Sequence, residues 1–340
     1  MPDDEFGYHV RFLLGQCCIE LQEHDAAVEH LTRALEHMPK SAQAHAQRGR
    51  AHHDKGDLDR AIADYTESIR LDPQAPLCYI GRGFAYADQD DFAKAIADAS
   101  EAVRLAPNDT APYVARATMY QDSGEYGKAA ADYSRTIELE PESASFYELR
   151  AHAYRSLGAE ESAAQDERTV QALTHLAQAL GEAKQGNWDR ALPILNQAIQ
   201  LDPKLYRAYL RRGMAYIGMQ EPDHAIADFN YIIDNMPKPT RTWGTAFGCY
   251  TDAFLNRGNA YILKRDFPRA LADYTETIRL EPNLASAYQH RAEIYRAMGE
   301  NKKAVQDERK ARELLSGGEC FPCEQPQTDR GALHRSGHER

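Results

Sequence analysis

A chain of 340 residues that is 43% apolar, 27% charged and 9% aromatic is composed like a folded globular protein, and its six cysteines are too sparse for a disulfide framework. Forty basic residues against 52 acidic ones leave a net charge of −12, the wrong sign for gripping phosphate backbones, so no nucleic-acid partner is expected. No apolar run approaches the roughly 20 residues that span a bilayer, and the acidic opening Met1-Pro2-Asp3-Asp4-Glu5 lacks a signal peptide's basic start, so a cytoplasmic chain without a membrane partner is expected.

Residues 1–7 read as an N-terminal tail. From Tyr8 onward prolines mark a period: Pro39, Pro73, Pro107 and Pro141 stand 34 apart, Pro203 and Pro237 again 34 apart, and Pro282 follows. A fixed period of this length signals stacked supersecondary units rather than ordinary domains. With the proline as position 32, nine units begin at Tyr8, Ala42, Pro76, Thr110, Ala144, Ala172, Tyr206, Thr251 and Ala285. Position 20 is alanine in all nine, position 8 is always Gly or Ala, and position 11 is Tyr in six. Each unit predicts a first helix over positions 2–14, a turn such as Lys55-Gly56-Asp57, and a second helix running up to the proline. Small residues at 8 and 20 let the two helices approach closely.

Small position 8, Tyr 11, Ala 20, an aromatic at position 24 (Tyr65, Tyr133, Phe229, Tyr274) and Pro 32 together resemble the tetratricopeptide repeat over residues 8–318. The resemblance implies an all-α solenoid, a right-handed superhelix of about nine hairpins whose first helices line a concave peptide-binding groove. It further implies a non-enzymatic scaffold or adaptor that needs no cofactor and takes a peptide segment or helix of a partner protein.

Comparison of the units with one another adds an ion pair. Arginine fills position 7 in seven units (Arg48, Arg82, Arg116, Arg150, Arg212, Arg257, Arg291), and the same seven have aspartate at position 23 (Asp64, Asp98, Asp132, Asp166, Asp228, Asp273, Asp307). Joint presence and joint loss predict that the two pair within each hairpin. The first and sixth units lack both. The fifth and ninth agree at 14 of 30 positions and carry an acid, Glu167 or Glu308, at position 24, so both read as closing caps. Two arrays follow, residues 8–171 and 172–318. With no Pro or Gly between Ala159 and Leu180, the fifth unit's second helix is expected to run into the sixth unit's first.

If the family pattern transfers, positions 2, 5, 9 and 12 face the groove. These are Arg207, Leu210, Met214 and Ile217 in the seventh unit and Asp252, Leu255, Asn259 and Ile262 in the eighth; the third contributes Leu77, Ile80 and Phe84. An apolar stripe flanked by charge would bury a peptide's side chains. Residues 240–250 form an insert whose Trp243 is a candidate clamp over the groove; the alternative is that the insert lengthens the eighth unit's first helix. Some family members grip a chaperone's terminal carboxylate with Lys, Asn and Arg. The corresponding places here hold Phe12, Gln16, Gln47, Leu77 and Gly81, or Leu210, Met214, Asn256, Ser286 and His290, and only Asn256 matches, so that role is not expected. Residues 319–340 read as a disordered tail holding Cys320, Cys323, His334 and His338, zinc-type ligands at short spacings. Their alternatives are a zinc- or redox-responsive module and an inert tail. A self-associating structural protein, its stripe buried in a homo-oligomer, is the third reading.

Overall fold

The computed structural model describes residues 2–237 and 245–316, and its regular structure there is entirely helical. Helices α1 (Pro2–Glu20) and α2 (His24–His37) make the first hairpin. The second is α3 (Ala42–Asp54) with α4 (Leu58–Leu71), the third α5 (Pro76–Ala87) with α6 (Phe92–Leu105), and the fourth α7 (Thr110–Asp122) with α8 (Tyr126–Leu139). Next, α9 (Ala144–Ser156) packs on the first half of α10 (Glu160–Lys184) and α11 (Trp188–Leu201) on its second half. Helices α12 (Tyr206–Gly218), α13 (Pro222–Asn235), α14 (Thr245–Leu263), α15 (Phe267–Leu280), α16 (Ala285–Ala297) and α17 (Asn301–Ser316) complete the order. None is long and apolar enough to cross a membrane.

The repeat logic is visible at three levels. All nine position-20 alanines are at most 1% exposed, so the second helix of every hairpin meets the first at its narrowest residue. Position 15 turns the chain between the two helices with a left-handed backbone in every unit. Gly56, Gly124, Gly158, Gly186 and Gly299 have φ of 77 to 80°, and Gln22, Asp90, Gln220 and Arg265 are held there at 57 to 61°. Position 8 is small because the position-24 ring lies on it: a Cβ at Gly258 would sit 2.7 Å from Tyr274 Cε1.

In six hairpins the predicted ion pair is a two-pronged fork. Nε and Nη2 of Arg48, Arg82, Arg116, Arg150, Arg257 and Arg291 donate to the two carboxylate oxygens of Asp64, Asp98, Asp132, Asp166, Asp273 and Asp307 at 2.7–2.9 Å. The third nitrogen, Nη1, donates to the hairpin before. Its acceptors are Thr32, Thr66, Ser100, Ser134, Asn196 (from Arg212), Asn230 and Thr275, at 2.6–3.3 Å and always position 25. Position 25 is instead Arg168 in the fifth unit, whose successor has Gln178 where the arginine would stand. Tyrosines at positions 4 and 11 flank Arg116, Arg150 and Arg291, with ring centroids 5.6–6.0 Å from the guanidinium carbon. The position-4 hydroxyls of Tyr79, Tyr113, Tyr147 and Tyr288 donate to the carbonyls of Pro73, Pro107, Pro141 and Pro282.

Two expectations about boundaries change. Residues 2–7 are the first turns of α1 rather than a tail, because Pro2 and the acids after it suit a helix start. The described chain also parts into two compact units between Arg212 and Gly213, inside α12. The boundary expected at 171/172 lies within the first of them, because α10 runs unbroken for 25 residues and carries packing through. At its midpoint Thr169 donates to Asp202 at 3.1 Å, and Arg207 pairs with Glu142. Residues 245–250 lengthen α14, as one reading of the insert expected.

Candidate peptide-binding groove

The first helices α1, α3 and α5 stand side by side and enclose a cavity of about 510 Å³. Phe12 and Gln16 face it from α1, Gln43, Ala46, Gln47 and Arg50 from α3, and Leu77 and Cys78 from α5. In the unit frame most of these are positions 2, 5, 6 and 9, because residues three and four apart share one face of a helix. Second-helix residues Tyr65 and Ser68 form the floor.

The floor is fixed and uncharged. Ser68 donates to the Ala42 carbonyl at 2.8 Å and lies 3.1 Å from Cys78 Sγ. Burial pushes the Cys78 thiol above its ordinary value, so it is not a thiolate nucleophile. Burial likewise raises the Tyr65 phenol. Gly81 makes room for that ring, since a Cβ there would stand 2.5 Å from Tyr65 Cζ.

The walls are amides. Gln16, Gln43 and Gln47 make no hydrogen bond to any described residue, so three carboxamides, each with two donor hydrogens and an acceptor oxygen, are open to a ligand. Arg50 is the one cation of the lining and the exposed Asp72 its one acid; Arg50 reaches Glu20 at 3.4 Å and Asp54 at 3.9 Å, and its side chain stays 51% exposed. Leu77 is 69% exposed at the rim. Neutral donors and acceptors between apolar side chains suit a peptide backbone, and Arg50 suits an acidic side chain.

Of the residues nominated from sequence, Leu77 joins this cavity. Ile80 does not line it, and Phe84 packs into the core cluster of Ala95, Ala99 and Met119. In the second compact unit Leu255 and Ile262 pack on the Tyr261–Tyr274 cluster while half-buried, Asn259 accepts from the Tyr274 hydroxyl at 2.6 Å, Met214 and Ile217 are half-buried, and Asp252 is exposed. Arg207 is engaged by Glu142. Leu210 is a correction: it is 4% exposed, because Ala208, Tyr209 and Leu210 are buried in succession and cover more than half the turn of α12. It belongs to the core rather than to a binding stripe. Trp243, Cys320, Cys323, His334 and His338 lie outside the described residues. Gln43, Ala46 and Arg50 share positions 2, 5 and 9 with the apolar candidates, but being polar or small they leave no apolar stripe in the sequence to mark them.

Tetratricopeptide-repeat models match residues 8–36, 49–90, 76–109, 114–174 and 176–238. The chain belongs to the tetratricopeptide-repeat family. Solved structures are similar in fold at low identity. A tetratricopeptide repeat protein from Parabacteroides merdae is 16% identical, over 88% of this chain and 99% of its own, with a TM-score of 0.38. MamA from Desulfovibrio magneticus is 18% identical over 49% and 95%, with a TM-score of 0.45. The first repeat domain of Spaghetti (RPAP3), solved with an HSP90 peptide, is 28% identical over 34% and 95%, with a TM-score of 0.33. No curated protein matches the chain.

Proposed function

We propose that this tetratricopeptide-repeat chain is a non-enzymatic scaffold whose first three hairpins hold an extended stretch of a partner protein. The observation that carries the reading is the cavity between α1, α3 and α5, with three unengaged glutamine amides, one loosely held arginine and an exposed leucine. Glutamine at the places of Gln16 and Gln47 reads backbone amides rather than a terminal carboxylate, which favours an internal segment over a chain end. The half-exposed Met214, Ile217, Leu255, Asn259 and Ile262, with Asp252, offer a second surface of mixed character in the other compact unit.

A peptide library selected on the wild-type chain tests this, because Arg50 and Leu77 are exposed enough to change without unfolding the hairpins. Selected peptides should lose at least about tenfold in affinity for the Arg50→Glu, Leu77→Glu variant, a loss of about 1.4 kcal/mol. Equal affinity for the variant, with its helicity unchanged, refutes the assignment.

A further inference from the structure

Four of the twelve large apolar side chains that stand exposed among the described residues belong to one helix, and a fifth follows it directly. Phe6, Val10, Leu13 and Leu14 of α1 are 73, 40, 58 and 40% exposed, and Leu21, the residue just past its end, whose N–H still donates to the Cys17 carbonyl, is 69% exposed. With the exposed Cys17 they recur at intervals of three and four and so form one continuous stripe. The groove residues Phe12 and Gln16 lie more than a quarter-turn round the helix from the centre of this stripe.

The repeat frame shows what this face is for. Val10, Leu14 and Cys17 occupy positions 3, 7 and 10, which in later hairpins press on the hairpin before. There position 7 is the arginine that reaches back, and positions 3 and 10 are buried: Ala44 and Ala51, Cys78 and Ala85, Pro112 and Met119. The sixth unit has the same face bare. Its Thr174, Gln178 and Gly181 are all exposed, and all are polar or minimal, as a solenoid's open face should be. Helix α1 breaks that rule. It is not shaped for another hairpin of this kind either, since that docking uses arginine where Leu14 stands.

The stripe is also symmetric. Phe6 and Leu21, Val10 and Cys17, and Leu13 and Leu14 are equidistant from the midpoint between Leu13 and Leu14. A second α1 laid antiparallel about a two-fold axis at that midpoint sets each member of a pair on the other, twice over, which is the self-complementarity an isologous dimer requires. The same register places Glu5 against Gln22 and Glu20 against Gly7, and brings two acids, Asp4 and Glu23, level only at the ends of the seam.

We propose that two copies of this chain associate through α1, packed antiparallel about a two-fold axis between Leu13 and Leu14. This interface is independent of the groove reading. One helix per copy is a small interface, so the copies should exchange at concentrations on the order of micromolar.

Sedimentation over a concentration series should show the intact chain passing from monomer to dimer. The Leu13→Glu, Leu14→Glu variant should stay monomeric with unchanged helicity, because both side chains are exposed in the single copy. A cross-link tests the register. With Cys320 and Cys323 changed to Ser, Val10→Cys should give a disulfide-linked dimer on mild oxidation through Cys17 of the second copy, and adding Cys17→Ser should abolish it. A chain monomeric throughout overturns the proposal. So does a dimer that survives the Leu13→Glu, Leu14→Glu change, or one that gives no cross-link.

Discussion

The arginine at position 7 organises this molecule at the smallest scale. Arg116 is 20% and Asp132 10% exposed, so the fork between them is largely withdrawn from water, whereas Arg104 and Glu101 pair in the open. Removing one partner of a buried pair strands the other, so Asp132→Ala should cost about 3 kcal/mol. By contrast Glu101→Ala should cost under about 1 kcal/mol, and urea unfolding of the two variants compares them directly. Position 15 stores strain of opposite sign: Gln22→Gly should stabilise by about 1 kcal/mol, since only glycine occupies a left-handed backbone without penalty. A third residue-scale effect is titratable. His52 takes the place of the usual Tyr 11 at 6% exposure, and its Nδ1 makes no hydrogen bond, the Asp57 carboxylate standing 3.9 Å away. Burial holds the imidazole below its ordinary value, with Arg48 and Arg60 adding to the push and Asp64 and Asp57 resisting. The folded value is thus below the unfolded one of about 6.5, so this contribution is complete above that pH and is lost as pH falls through the folded value. Thermal unfolding should therefore come at lower temperature on acidification, and the His52→Tyr variant should lose less.

At the scale of elements, α10 does the most with the least. One helix serves two hairpins, because no glycine or proline interrupts residues 160–180 and Ala163, Leu173, Leu176 and Ala179 bury in turn on α9 and then α11. Gln171 is exposed at mid-rod, so Gln171→Pro should change packing least and the helix most, by about 3 kcal/mol or more. Hydrogen exchange over residues 160–184 should then show the fifth and sixth units opening separately instead of together. The rod was legible in the sequence, as were the hairpins and the Arg–Asp pairs, because spacing and joint loss report on them directly. The position-25 acceptors were not seen: they match an arginine in the next unit, so a unit-by-unit comparison passes over them. The helical start at Pro2 was hidden because it precedes the first period. Leu210 was misjudged because a helix-face rule says which way a residue points and not how many neighbours enclose it.

Across the whole molecule, the fifth and ninth units share one chemistry. Glu167 pairs with Arg155 and Glu308 with Arg296, each acid turning back to its own first helix where other units present an aromatic or apolar side chain. A dimer through α1 would carry two grooves, so a partner peptide displayed densely on a surface should dissociate more slowly from the wild type than from the Leu13→Glu, Leu14→Glu variant. Free peptide should bind both alike, which separates the two proposals in one measurement.

The third nitrogen of each arginine gives the stack a direction. It always reaches towards the hairpin synthesised earlier, never the later one. A hairpin leaving the ribosome thus finds its hydroxyl or amide acceptor already in place, and folding can advance like a zip in step with translation. Shortening the stack is asymmetric for the same reason. Loss of a later hairpin leaves every remaining arginine satisfied, while loss of an earlier one orphans the arginine that follows.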